Sequence, residues 1–191
     1  MASFTDIPTA SLAADKYVTY DLLTALRDNT LATVWHPYNK TTIGDANTGL
    51  IYDYGVSGAV SSVVTPDFAD GWEYMIVFND LSHDSGSSPV YLQVELYRET
   101  SAAYSGAQEI SDTVNASTLI SGHLHLPWVR SSRTLQPAHA LSSAGNAATD
   151  ASVGFSMSTA QKALRARVSF SSGNIDAGKL YLYRRGAFAA G

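Results

Sequence analysis

Two histidines, His123 and His125, are the residues whose type and spacing come nearest to a metal site in this chain. Because side chains alternate between the two faces of a strand, both imidazoles would lie on one face. A metal site of this kind also needs a nearby carboxylate and a further histidine. The chain continues as Leu126-Pro-Trp-Val-Arg130, and the next acidic residue is Asp150. We therefore predict no metal and no other cofactor, and we interpret the pair as surface or interface histidines beside Trp128.

Residues for covalent or acid–base catalysis form no recognisable pattern. Cysteine is absent, which excludes a thiol nucleophile, a disulfide and a thiolate metal site. No Gly-x-Ser-x-Gly sequence occurs, and the serines lie in turn-like runs. Carboxylates for glycan cleavage are numerous, but spacing alone does not pair them; they include Asp67, Asp70, Glu73, Asp80 and Asp84. The sequence predicts a protein that is not an enzyme and has no catalytic residues.

Aromatic residues give a stronger functional signal, since the chain has 11 tyrosines and 3 tryptophans. Flat amphipathic rings stack on sugars or anchor protein interfaces. Several of them fall at the predicted ends of loops, where a ligand or partner would reach them. Core packing is the alternative explanation for many of these rings. The candidate ligand or interface aromatics are Trp35, Tyr38, Tyr104 and Trp128.

Length and composition are typical of a single domain with a short appendage, at 191 residues. The first residues, Met1–Asp6, lack the basic and apolar stretches of a secretory signal, and no apolar run has the length of a membrane span. We therefore expect synthesis in a cytoplasm without export and without membrane insertion. Release by cell lysis would fit that expectation.

Charge is distributed unevenly along the chain. Residues 1–120 hold 15 acidic against 4 basic residues, whereas residues 121–191 hold 2 against 8. The basic residues are dispersed and lack the clustering of a nucleic-acid-binding groove, so we expect no nucleic-acid partner. Two explanations remain open. The halves neutralise each other within one domain, or the acidic part of one subunit meets the basic part of its neighbour in an oligomer.

Period-two alternation predicts that the chain is built from strands. It is clearest from Val90 to Leu96 and from Leu164 to Phe170, where apolar residues alternate with polar ones. The remaining predicted strands are separated by turn-forming residues: Leu50–Tyr54, Ala59–Val64, Trp72–Asn79, Pro89–Arg98, Thr118–Leu126, Val153–Met157 and Lys179–Tyr183. Many short strands with almost no helix favour an all-β fold, an antiparallel β-sandwich of jelly-roll-like type.

Two long hairpins are predicted within this sandwich, Trp72–Arg98 and Leu164–Tyr183. A glycine-containing turn, Ser172-Gly-Asn174, separates the two strands of the second. The predicted core consists of apolar residues from one face of the strands with the clearest alternation: Ile76, Phe78, Leu92, Val94, Leu96, Leu164, Val168, Phe170, Leu180 and Leu182.

The N-terminal 48 residues are predicted to be an arm and a short helix, followed by the sandwich domain at residues 49–191. Leu22, Leu23 and Leu26 fall on one stripe of a helix at Tyr20–Asn29, with Arg27 on its polar side. So short a helix is marginal alone and must pack on another surface. That surface is either the open end of its own domain or a partner.

Three segments carry a resemblance to a known group of proteins. Arg167–Tyr183, most specifically Ser171-Ser-Gly-Asn-Ile175 with Gly178, resembles the closing strands of fibre- and spike-like structural proteins of tailed phages and gene transfer agents. Leu22–Ala32 resembles the helix that opens many such proteins, and Gly71–Asp80 resembles their central strand.

The resemblance implies a structural component of a tailed-phage-like particle: a fibre, spike or spike base on the tail or capsid that takes part in attachment to the host surface. It implies assembly in the bacterial cytoplasm, a homo-oligomer, other virion proteins as partners and a cell-surface polysaccharide as a further partner. Residues 1–32, with Leu22, Leu23, Leu26 and Arg27, would dock to the particle or to neighbouring subunits. Loops Ser82–Ser88 and Ser101–Asp112 would face outward. The alternative is a free domain that binds or hydrolyses bacterial envelope polysaccharide.

Overall fold

Alternating apolar side chains place the chain in two antiparallel sheets that pack face to face. The structure is a computed structural model that describes residues 34–38, 49–87, 89–127, 129–144 and 147–186. The strands are β1 His36–Pro37, β2 Leu50–Asp53, β3 Val63–Val64, β4 Trp72–His83, β5 Leu92–Arg98, β6 Ala103–Tyr104, β7 Gln108–Glu109, β8 Ile120–Leu126, β9 Arg133–Ala144, β10 Ala147–Gln161, β11 Ala163–Phe170 and β12 Ile175–Gly186. The prediction of an antiparallel β-sandwich is confirmed.

The two sheets differ in size. The large sheet has the order β1-β12-β4-β8-β9-β10, and β2 also pairs with β12. The small sheet has the order β3-β11-β5-β6, and β7 also pairs with β5. Every pairing is antiparallel. β1 lies within the range predicted as an N-terminal arm, and its pairing with β12 joins it to the sandwich.

A short helix, α1, spans Tyr54–Ser57 where the sequence predicts the end of a strand. The side chain of Asp53 accepts a hydrogen bond from the amide of Gly55 at 2.9 Å, which caps the helix and ends β2. The helix predicted at Tyr20–Asn29 lies outside the described residues.

Both predicted long hairpins are wrong, because each divides between the two sheets. β4 lies in the large sheet and β5 in the small one; β11 lies in the small sheet and β12 in the large one. The connections are therefore arches across the sandwich. The two arches stack, since β4 pairs with β12 and β5 pairs with β11.

The stacked arches hold each other by hydrogen bonds. The carboxylate of Asp84 accepts from the backbone amide of Asn174 at 2.7 Å and from its side-chain amide at 3.0 Å. The hydroxyls of Ser85 and Ser172 lie 2.9 Å apart. The pKa of Asp84 is lowered, first by the backbone hydrogen bond from Asn174 and then by the bond from its side chain.

The predicted core residues are buried, with one exception. Leu164 is only half-buried, because the pairing of β11 with β5 shifts between Ala163 and Arg165. Such a bulge adds one residue and changes which side chain faces inward. Ala163 is fully buried instead. The prediction that Leu164 belongs to the core is therefore wrong.

The two loops predicted to face outward are largely part of the domain. Ser82 and His83 end β4 as buried residues, and Ser85 packs in the arch. Ser101–Asp112 contains β6 and β7, which pair with the edge of β5. The hydroxyls of Ser105 and Ser111 accept hydrogen bonds from the β5 amides of Leu96 and Leu92. By accepting hydrogen bonds from these amides of β5, the two serines hold the segment Ser101–Asp112 against the edge of the small sheet.

Candidate functional site

The site residues predicted from the sequence fall into three groups. Leu22, Leu23, Leu26, Arg27 and Trp128 lie outside the described residues. Tyr38 lies in the interior. Trp35 and Tyr104 lie on the outer faces of different sheets, so the structure does not bring them together in one site.

Tyr38 is only 4% exposed and fills the interior beside β4. Its hydroxyl donates to the carbonyl of Asp67 at 2.9 Å, and its ring meets Tyr74 edge-on at 5.6 Å. The guanidinium of Arg184 lies 4.3 Å from the ring centre. In this arrangement the ring of Tyr38 offers no surface to a ligand.

Trp35 belongs to a polar cluster on the outer face of the large sheet, which we call the Trp35 cluster: Trp35, Glu73, His125 and Arg185. The indole meets the imidazole of His125 edge-on at 5.5 Å, and the guanidinium of Arg185 lies 4.7 Å from the indole. Oε2 of Glu73 lies 3.1 Å from Nε2 of His125 and 2.9 Å from Nε of Arg185. Glu73 is 6% exposed, and hydrogen bonds from His125 and Arg185 offset the free-energy cost of burying its carboxylate.

Apolar and aromatic side chains continue from this cluster across the same face. Register places Val77 between Tyr181 and His123, and Met75 between Tyr183 and His125, while His123 lies opposite Leu141. We call this surface the outer apolar band. It consists of Met75, Val77, His123, Leu141, Tyr181 and Tyr183.

Three histidines share this face, because His125 also lies opposite His139 on β9. Burial lowers the pKa of His123, and the charges of His139 and His125 lower it further. His139 is held by Asp150, with Nε2 and Oδ1 2.7 Å apart. Within the described parts of the chain, no group of three His, Cys, Asp or Glu residues has an arrangement that holds a metal ion.

Tyr104 belongs to a second surface, on the outer face of the small sheet, which we call the tyrosine–arginine face: Glu95, Tyr97, Tyr104, Arg165 and Arg167. The two tyrosine rings meet edge-on at 5.1 Å. The guanidinium of Arg165 lies 4.5 Å from the ring of Tyr97, and that of Arg167 lies 4.0 Å from the ring of Tyr104. These stacked cations occupy ring surface that a sugar would need.

The carboxylates considered for glycan cleavage are engaged in contacts of the fold. Asp67 pairs with Arg165 at 3.5 Å, and Asp70 pairs with both Arg130 and Lys162. Lys162 and then Arg130 lower the pKa of Asp70. Asp80 accepts from the hydroxyl of Ser121, while Glu73 and Asp84 make the contacts described above. The arrangement of these groups is that of structural ion pairs and hydrogen bonds.

Ion pairs also explain the uneven charge of the chain. Acidic residues of the first 120 positions pair with basic residues of the last 71. Glu95 contacts Arg167 at 2.7 Å, and Asp53 contacts Lys179 at 2.8 Å. The same holds for Asp67, Asp70, Glu73 and Glu99 with Arg130, Lys162, Arg165 and Arg185. This geometry favours neutralisation of the two halves within one domain.

The sequence did not single out the buried Glu73 or the arch residue Asp84 as structural anchors. Alternation does place Glu73 and Arg185 on one face once β4 and β12 are known to pair. No local pattern points from Asp84 to Asn174, which lies 90 residues away.

The described residues include no helix that is long and apolar enough to cross a membrane. No protein-family model, curated protein or solved structure matches this chain.

Proposed function

We propose that this protein is a structural, non-enzymatic component of a tailed-phage-like particle, including the particles of gene transfer agents. It would be a fibre, spike or spike base that takes part in attachment to the host surface. It would assemble in the bacterial cytoplasm as a homo-oligomer with other particle proteins.

One geometric observation supports this proposal most. Two of the three segments that resemble such proteins are neighbours in the large sheet. Gly71–Asp80 forms most of β4, and the end of Arg167–Tyr183 forms most of β12, which pairs with β4 from Ile175↔His83 to Gly186↔Trp72. The most specific turn, Ser171–Ile175, closes the arch against Asp84. The two described segments on which the proposal draws are thus adjacent in the fold, which supports it.

The direct test is the composition of purified particles. Particles from cells that encode this chain should contain it in stoichiometric amounts by mass spectrometry. Its absence from purified particles would exclude a structural role.

A second test addresses the predicted attachment segment. Deletion of residues 1–32 should leave a folded sandwich that no longer joins particles. The first described strand begins at His36, so the deletion removes none of the strands that the structure describes. Normal incorporation of the shortened protein would show that attachment uses another surface.

A free polysaccharide-binding domain is the second candidate function. The surface considered for it is the tyrosine–arginine face, whose two guanidinium groups would bind sugar hydroxyl or carboxylate groups by hydrogen bonds, since they already cover the tyrosine rings against stacking. Binding of capsular polysaccharide by protein free of particles would support this candidate. Arg165→Gln should weaken that binding, whereas Leu135→Gln, an exposed residue on the large sheet, should leave it unchanged. Release of reducing ends would further identify a hydrolase.

A further inference from the structure

The outer faces of the two sheets differ in polarity. On the small sheet the outward positions of β5 and β11 are polar, as Gln93, Glu95, Arg165 and Arg167 show. The outer face of the large sheet also has charged groups, Glu73 with Arg185 and Asp53 with Lys179, but these flank the outer apolar band, whose six positions hold no Asp, Glu, Lys or Arg. Its inward neighbours already fill the core, with Ile76 and Leu182 at 1% and 0% exposure. An apolar outer face on an antiparallel sheet indicates that something else covers it.

The path of the chain before β1 leads onto this face. β1 lies at the edge of the large sheet, yet the indole of Trp35 contacts His125 on β8, beyond β12 and β4. Val34, the next residue toward the N-terminus, is 49% exposed. Trp35, near the start of this described part of the chain, therefore lies beside the outer apolar band.

We propose that the leucine-bearing segment Leu22–Leu31 packs on the outer apolar band of its own molecule. Leu22, Leu23 and Leu26 would supply an apolar surface that covers the side chains of the outer apolar band. This proposal does not depend on the proposed function.

Dimensions agree with this placement. Three residues lie between Leu31 and Trp35, and the four steps from one Cα to the next allow a reach of about 13 Å in extended chain. The ten residues from Leu22 to Leu31 are about 15 Å long as a helix. The band extends from β12 to β9, four strands at a spacing of about 4.8 Å, or roughly 14 Å between the outermost strands.

A short tether favours the same molecule over a second copy. Residues joined by a short flexible linker meet at an effective concentration in the millimolar range. Helical spacing puts Arg27 at the flank of the leucine stripe, where it would remain available to a particle or a neighbouring subunit. The segment can thus hold to its own domain and still carry an attachment surface.

Cross-linking tests the placement directly, because the chain has no cysteine. In the full chain, Leu26→Cys with Val77→Cys should form a disulfide within one molecule under mild oxidation. The matched control is Leu26→Cys with Ser169→Cys, on the outer face of the small sheet, and it should form little or none. Cross-linked dimers, or equal yields from both pairs, would overturn the proposal. So would the absence of any disulfide in the first pair.

Methionine oxidation gives a second readout that needs no cysteine. Met75 lies in the band, whereas Met157 is fully buried in the core. Peroxide should oxidise Met75 several-fold faster in a Leu22→Ser/Leu26→Ser variant than in the unaltered chain, with Met157 unchanged. Equal rates for Met75 in the two proteins would overturn the proposal. Both experiments use purified protein without particles, so their outcome is independent of the particle tests.

Discussion

At the scale of single residues, two glycines in and after the terminal arch are required by close packing. Gly173 and Gly178 have φ of 82° and 85°, in the left-handed region. A Cβ on Gly178 would lie 2.4 Å from the carbonyl oxygen of Asp80, and one on Gly173 would lie 2.8 Å from Oδ1 of Asp84. These glycines allow β12 and its arch to approach β4 closely. Gly173 and Gly178 are therefore required by the packing at these two positions.

We predict that Gly178→Ala lowers the free energy of unfolding by about 3 kcal/mol, because the side chain meets backbone atoms in a strained conformation. Urea unfolding at constant pH measures the change. Gly86→Ala is the matched control, since no atom lies within 4 Å of the added Cβ, and its effect should stay within about 0.5 kcal/mol. Equal stability of the two variants would contradict the close approach of β12 to β4.

A second prediction at this scale concerns His123, whose pKa is below its ordinary value of 6.5 because of burial and the charges of His139 and His125. The folded state thus binds the proton less readily than the unfolded state. The contribution of His123 to stability is complete above about pH 6.5 and is lost as the pH falls below that value. The free energy of unfolding should rise with pH through this range.

His123→Gln should flatten that pH dependence. Chemical unfolding of both proteins between about pH 5 and pH 7 provides the comparison, above the range in which carboxylates titrate. Curves that run parallel would show that His123 is not the group responsible.

At the scale of elements, the stacked arches decide the topology. Period-two patterns correctly indicated the strands at β4, β5, β11 and β12, but the hairpins drawn from them were wrong. Alternation reports that one face of a strand is buried. Both the large and the small sheet bury such a face, so the pattern does not say which sheet a strand joins.

We predict that Asp84→Ala loosens the contact between the arches. The lost acceptor leaves the backbone amide of Asn174 without its 2.7 Å hydrogen bond. Hydrogen exchange in residues 171–175 should become faster, and the melting temperature should fall. Asp112→Ala is the control, because the carboxylate of Asp112 accepts only a local bond from Thr113 among the described contacts. Unchanged exchange in the Asp84 variant would show that the arches are held by other contacts.

The same contact has a pH dependence of its own. The pKa of Asp84 is lowered, so its contribution is present above the ordinary value of 3.8 and is lost as the pH falls below it. In acid, the exchange of residues 171–175 should approach that of the variant.

At the scale of the whole molecule, ion pairs join the acidic and the basic parts of the chain. Glu95 and Arg167 lie on neighbouring strands of the small sheet, with side chains 16% and 35% exposed. We predict a favourable coupling of about 1 kcal/mol between them in a double-mutant cycle of Glu95→Gln and Arg167→Gln. Partial exposure keeps the value small, and salt should reduce it. Zero coupling at low salt would contradict neutralisation through this pair.

Some properties follow from the sequence by itself. The β class, nearly all of the predicted core and the face of each strong strand come from local alternation, since a half-buried strand must alternate wherever it lies. The opposed charges of the two halves also indicated that they attract each other, but only the structure favoured contact within one domain over contact between subunits.

Other properties depend on the tertiary structure. Strand partners, the stacked arches, the burial of Tyr38 and the contact of Trp35 with His125 join residues that are far apart in the chain. The bulge beside Leu164 likewise depends on how β11 pairs with β5. These features are set by the packing of one sheet on the other and by the paths of the connections. A local pattern contains no information about either, because it reports the burial of a residue and not the identity of what buries it.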